Sequence, residues 1–134
     1  MHYNPGLEHI ESHNNRLESY VEDKVVWEKR HPSDGEKQMQ EFLHNQNVEY
    51  QFKKVFYVKD RYGMISQYFV VDFYVPKKDV AISLGYKSFS EEDKYLYYKY
   101  ERLAKKNPHM KFFHWRPSDF HSYCNMKSLV KEVK

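Results

Sequence analysis

The segment Tyr68–Leu84 constrains this chain more than any other. It reads Tyr68-Phe69-Val70-Val71-Asp72-Phe73-Tyr74-Val75-Pro76, then a Lys77-Lys78-Asp79 turn, then Val80-Ala81-Ile82-Ser83-Leu84. Runs this rich in β-branched and aromatic residues, parted by a Pro-led polar turn, predict two strands. Within the first run Asp72 stands alone among Val, Phe and Tyr. A carboxylate in such company is costly unless it is paired, hydrogen-bonded or bound to a cation. Satisfaction by backbone donors or an Arg is the purely structural alternative.

The elements around this pair follow from local signals. Pro32 precedes Ser33-Asp34-Gly35-Glu36, a capping box in which Ser33 caps a helix and Glu36 reaches back. That helix runs to about Asn45 and buries Met39, Phe42 and Leu43. Val48–Val58 predicts a strand, Asp60-Arg61-Tyr62-Gly63 a turn, and Ile65–Val75 the next strand of a hairpin. Ser90 caps a helix with Glu91, Glu92 and Asp93 in its first turn; it runs to about Lys106, with Tyr95, Tyr98, Leu103 and Tyr97 on the inner side. Met110–Trp115 predicts a strand, and Ser118-Asp119 starts a last helix through Val130. Upstream, Leu7, Ile10, Leu17, Val21, Val25 and Val26 are sparse, which predicts one loosely attached amphipathic helix or two short ones. The division that results is a helical extension over 1–31 and a single α/β domain over 32–134. Three strands in an antiparallel meander, followed by a strand–helix–strand parallel crossover, make a mixed central sheet flanked by helices.

Composition narrows the class without choosing a function. The chain has 134 residues, 40% hydrophobic and 31% charged, which suits one soluble domain with a real core. Its net charge of +3 is too mild to argue for nucleic acid by itself. The 13 Tyr suit half-exposed sheets and binding faces, or simply a Tyr-rich composition. The single Cys124 forms no internal disulfide, so a reducing, cytoplasmic compartment is expected; on its helix it is expected to be buried and inert. His109, His114 and His121 lack compact zinc-ligand spacing. No run is apolar and long enough to span a membrane.

Taken in order, Ser33-Asp34-Gly35-Glu36, Val71-Asp72-Phe73-Tyr74-Val75-Pro76, Ile82-Ser83-Leu84-Gly85 and Asp93-Lys94 resemble the PD-(D/E)XK nuclease superfamily, in its very-short-patch-repair-like endonuclease branch. The resemblance covers roughly Ser33 to Trp115, and the Asp-Phe-Tyr-x-Pro strand is its most specific piece. It implies a restriction-endonuclease-like fold and a small Mg- or Mn-dependent DNA endonuclease or nicking enzyme. Asp72 would be the central metal carboxylate, Glu36 would support the metal or a water, and Lys87 would stabilise the attacked phosphate or the attacking water. Phosphodiester hydrolysis needs a hard cation held by carboxylate oxygens together with a polarised water.

The chain departs from that pattern at Ser83, where the family has a second acid, and at Gly85, where its Lys falls by strict spacing. Three explanations stay open. The carboxylate has migrated, with Glu91 or Glu92 nearest; the position has been altered artificially; or the protein is a degenerate relative without cleavage, which binds nucleic acid or a protein partner in a mobile-element or defence setting. Glu36 also has a simpler role as capping-box partner, and Lys87 as a solvated loop residue. Lys53, Lys54, Lys77 and Lys78, interleaved with aromatics and flanking the strands that carry Asp72, are the candidate nucleic-acid contacts, with an ordinary solvated surface as the alternative. The expected partner is DNA; a protein or a second copy of the chain are the other options, and no membrane is involved.

Overall fold

The computed structural model of the chain describes residues 6–85 and 91–134, and of the side chains of residues 91–97 and 99 nothing is stated. The Lys87 and Ser90 roles expected from sequence lie outside the described residues, and so do the side chains of Tyr95, Tyr97, Glu91, Glu92 and Asp93.

The hairpin and crossover form as the turn signals dictate. β1 (Gln51–Lys59) and β2 (Ile65–Val75) are antiparallel, β2 pairs antiparallel with β3 (Val80–Leu84), and β3 pairs parallel with β4 (Lys111–Trp115), giving the sheet order β1-β2-β3-β4. The protein is thus α/β with a four-stranded mixed sheet. Asp60 shapes the first turn, its carboxylate accepting from the amides of Tyr62 (2.8 Å) and Met64 (3.1 Å).

Side chains alternating along β3 enter two cores on opposite sheet faces. Val80 and Ile82 join Phe73, Val75 and Trp115 beneath α2 (Asp34–Asn45) and α4 (Tyr123–Val133), which contribute Met39, Leu43, Leu129 and Val133. Ala81 joins Phe69, Val71 and Met110 beneath Leu103 of α3 (Glu91–Lys106). The capping box predicted for α2 is present, with Ser33 Oγ accepting from the Glu36 amide and Glu36 Oε1 from the Ser33 amide.

α1 (Leu7–Arg30) is one continuous 24-residue helix, one of the two expected forms, while its loose attachment and several other expectations are corrected. Its apolar stripe buries only Val21 and Val25, but polar side chains stitch it to the hairpin: Asn14 donates to Gly63 O and accepts from the Ile65 amide, and His13 Nε2 meets Ile65 O at 2.8 Å. Helix formation after β4 is delayed. Pro117–His121 is a 3-10 turn tied by the Asp119 carboxylate, and Ser122, not Ser118, caps α4. Cys124 is exposed, because α4 turns Leu129 and Val133 inward instead. Of the two α3 tyrosines whose side chains are described, Tyr100 packs against the second core, whereas Tyr98 is 62% exposed.

Leu43 is fully buried between α2 and the sheet. Leu43→Ala should destabilise the fold by about 2–5 kcal/mol, while Tyr123→Ala, at a 78% exposed position, should stay within about 0.5 kcal/mol. Urea melts of the two variants check this; near-equal midpoints would refute the placement of the core.

Candidate functional site

Asp72 stands where the alternation of β2 breaks: Phe69 and Val71 before it join the core under α3, and Phe73 and Val75 after it join the core under α2 and α4. The β2–β3 register pairs Phe73 with Ile82, and the next step places Asp72 opposite Ser83. In the β3–β4 register Ser83 lies beside His114, and its hydroxyl is 3.0 Å from His114 Nδ1. Asp72, Ser83 and His114 thus form a row across three strands. Tyr100 of α3 closes over this row, its hydroxyl donating to Val70 O at 3.2 Å.

Lys53 completes the arrangement. The β1–β2 ladder pairs Phe52 with Phe73 and Lys54 with Val71, which brings Lys53 level with Asp72, yet no ladder pair forms there. Lys53 instead adopts φ +56°, the left-handed region, within a strand. For a non-glycine residue that conformation costs on the order of 1–3 kcal/mol, and it persists only where the surroundings enforce it. It falls where both strands switch faces, from Phe52 and Phe73 on one core to Phe56 and Val71 on the other, and where the Lys53 side chain is held by charge. Lys53 Nζ lies 2.8 Å from Asp72 Oδ1 and 2.6 Å from Glu36 Oε2, and the three side chains are only 11%, 18% and 12% exposed. Glu36 comes from the first turn of α2, whose Gly35 lies against Leu84. The second oxygen of Asp72 accepts from the Leu84 amide at 2.8 Å.

These contacts set the protonation of the site. Burial alone pushes the Glu36 carboxyl up, but the hydrogen bonds from Lys53 and the Ser33 amide, with the Lys53 charge, hold it below the usual carboxylate range. Burial pulls the Lys53 ammonium down, but Asp72 and Glu36 outweigh it and raise it above the ordinary lysine value. Burial drives the Tyr100 phenol far up, the Asp72 charge adds to this, and a hydrogen bond with Ser83 partly opposes it.

The sequence-predicted residues therefore divide. Glu36, Asp72 and Ser83 converge on one region. Lys53, expected to meet nucleic acid, is committed to the two carboxylates. Lys54 is half-buried with its ammonium 5.9 Å over the Phe56 ring. Lys77 and Lys78 are exposed in the β2–β3 turn. That turn begins four residues beyond Asp72, about 13 Å along the strand, at the end of the sheet away from Leu84 and Glu36. They do not border the carboxylates. Sequence reasoning missed Lys53 as a member of the site, and missed Tyr100 and His114 altogether. Counting back from the Asp60–Gly63 turn would set Lys53 across from Val71, and only the register shift between Val58 and Lys59 brings it level with Asp72.

Among the described residues, which leave out the side chains of Glu91, Glu92 and Asp93, the site offers a divalent ion no open carboxylate. Such an ion needs several oxygen ligands with at least one carboxylate open to it. Here Asp72 has one oxygen on a backbone amide and the other on an ammonium, and Ser83 faces His114. Among the described residues no group of three His, Cys, Asp or Glu is placed to hold a metal, and no helix is long and apolar enough to cross a membrane. Comparisons of the chain with protein-family models, with curated proteins and with solved structures found no match.

Linkage gives the site a pH signature. Glu36 is lowered in the folded state, so its contribution is present above the unfolded carboxylate value and lost as pH falls through the folded one. Lys53 is raised, so its contribution is present below the ordinary lysine value and lost as pH rises through the folded one. The Glu36 and Lys53 contributions are thus both present from about pH 5 to about pH 10. Lys53→Met leaves two carboxylates without their cation and should cost on the order of 3 kcal/mol at pH 7. The deficit should shrink toward pH 4.5, where the carboxyls of the variant take up protons while the wild type begins to lose its own stabilisation. Urea melts at the two pH values test this; equal stability of the two proteins at pH 7 would contradict it.

Proposed function

We propose that this chain is a restriction-endonuclease-like protein that binds DNA without cutting it, its carboxylate site held shut by its own lysine. The observation that carries the reading is Lys53 Nζ between Glu36 and Asp72, at 2.6 and 2.8 Å. In a PD-(D/E)XK nuclease, carboxylates of this kind hold Mg²⁺ or Mn²⁺, which polarises the scissile phosphate and its attacking water. A fixed ammonium satisfies the same two carboxylates without offering an open coordination position for phosphate or water. The element order, the Asp72–Ser83 adjacency and the arrival of Glu36 at Asp72 support kinship in fold; Lys53 and Ser83 support loss of cleavage.

What remains for such a scaffold is binding. Lys77 and Lys78, with Lys105 and Lys106 at the end of α3, are exposed, and contacts of this sort favour a phosphate backbone with little regard to sequence. Affinity should fall steeply with salt. Lys77→Gln with Lys78→Gln should weaken binding about uniformly across sequences and flatten the salt slope by up to about two.

Two assays test the reading together. Plasmid incubated with the wild type and either Mg²⁺ or Mn²⁺ should remain uncut, while fluorescence anisotropy at low salt should report binding. Metal-dependent nicking that Asp72→Ala abolishes would establish an active endonuclease instead. No affinity for DNA or RNA even at low salt would leave a protein-partner role as the better account.

A further inference from the structure

The surface of α1 is unevenly sorted. Exposed large apolar side chains are ordinary when scattered. Yet four of the six among the described residues, Leu7, Tyr20, Val26 and Trp27, stand on this one helix. At about 100° per residue, Tyr20 and Trp27 fall on the same flank, one above the other, together with His9, Arg16 and Lys24. All five are exposed, the two rings at 61% each. His31, at the C-cap, stacks on Trp27 with ring centroids 4.2 Å apart and planes 18° from parallel, its Nδ1 lying 2.8 Å from Trp27 O. His13 shares the flank but is turned to the hairpin, where it meets Ile65 O.

This flank holds no acid. Asp23 stands at its margin, whereas Glu18 and Glu22 lie on the opposite flank, where their charges act on Tyr57 of β1. Among the described residues no ion pair engages Arg16 or Lys24, and Arg16 Nε donates to the Ser12 carbonyl one turn back. Along the axis Arg16 and Lys24 lie about 6 Å to either side of Tyr20, and Lys24 about 4.5 Å before Trp27. Cation and ring therefore alternate over about 16 Å of helix.

Such a row selects its ligand. An acidic peptide would meet the cations and leave the rings without flat partners. A membrane surface asks for one continuous apolar face, and here Leu7 and Val26 lie well off the row while Lys24 stands between the rings. A duplex hides the faces of its bases within the stack. An unpaired strand offers phosphates to the cations and base faces to the rings. We propose that this flank of α1 binds single-stranded nucleic acid, with bases stacked on Tyr20 and Trp27 and phosphates met by Arg16 and Lys24. The inference rests on the DNA-binding reading above and adds a surface that takes unpaired strand. His31 already covers one side of Trp27, so the indole has less side-chain freedom to lose on binding.

Anisotropy with three labelled ligands tests it: oligo-thymidine of roughly twelve nucleotides, a fully abasic strand carrying the same backbone charge, and a duplex of the same length. Tyr20→Ala and Trp27→Ala, at exposed positions that leave the fold intact, should each weaken oligo-thymidine binding about tenfold and leave the abasic strand and the duplex unchanged. Trp27→Phe, which keeps a ring, should retain most of the affinity. Arg16→Gln with Lys24→Gln should weaken both single strands and flatten their salt slope by about 1.4. Oligo-thymidine should also quench the tryptophan emission of the wild type through Trp27, since Trp115 is only 4% exposed. Unchanged oligo-thymidine affinity in both alanine variants overturns the stacking row while leaving DNA binding in place. Tryptophan emission that responds to anionic vesicles and not to oligo-thymidine overturns it in favour of a membrane surface. Failure of every strand and the duplex to bind overturns both readings together.

Discussion

The site depends on one interaction, the ammonium of Lys53 shared by Glu36 and Asp72. Moving two carboxylates and an ammonium out of water costs several kcal/mol per ion, and only good geometry with additional hydrogen bonds repays it. Asp72 meets both conditions, whereas Glu36 Oε2 meets Lys53 at 2.6 Å as an ion pair without a hydrogen bond. Asp72 also accepts from the Leu84 amide, and Glu36 also accepts from the Ser33 amide. The backbone of Lys53 is left-handed in mid-strand, and no ladder pair forms between Lys53 and Asp72 where their charges meet. Three elements distant in sequence meet there: the first turn of α2, the edge strand β1 and the interior strand β2. A buried trio of this kind is better evidence for a specified arrangement than for net stability, because a well-packed apolar replacement is often as stable.

The same arrangement divides the row Asp72–Ser83–His114 into two parts with different chemistry. At Asp72 charge is fully balanced and both oxygens are engaged. Ser83 and His114 hydrogen-bond each other and adjoin a cavity bordered by the rings of Tyr100 and Phe112. Where a nuclease would concentrate acids around a metal, this chain places a closed ion trio beside that cavity. Exposed lysines stand at the β2–β3 turn and at the end of α3, as well as on α1, α2 and α4.

Much of the fold was legible because the local signals agreed with one another. The capping box fixed the start of α2, Asp60 fixed the hairpin, and the strand–helix–strand step required a parallel crossover; β2 and β3 fall on the expected residues. The misreadings occurred where a tertiary contact overrode a local preference. Asp119 drew the Ser118 region into a 3-10 turn, the Asn14 and His13 contacts anchored a helix whose apolar stripe was thin, and Tyr100 displaced Tyr98 as the inward residue of α3. At the site, Glu36, Asp72 and Ser83 were found from motif and order. Lys53 was read as a surface cation, since a lysine in an edge strand ordinarily points to water. Its pairing follows from the hairpin register, which composition does not reveal. His114 and Tyr100 join through the parallel register and a helix phase, neither of which a single sequence fixes.

Calorimetric titration of Mn²⁺ into the wild type and into Lys53→Met tests most directly whether Lys53 stands where a metal would bind. The wild type should show no binding heat at millimolar ion. The variant should gain weak binding that Asp72→Asn removes, because two carboxylates freed of their ammonium offer hard oxygen ligands. Wild-type protein that binds Mn²⁺ through Asp72 as tightly as the variant does would contradict the account.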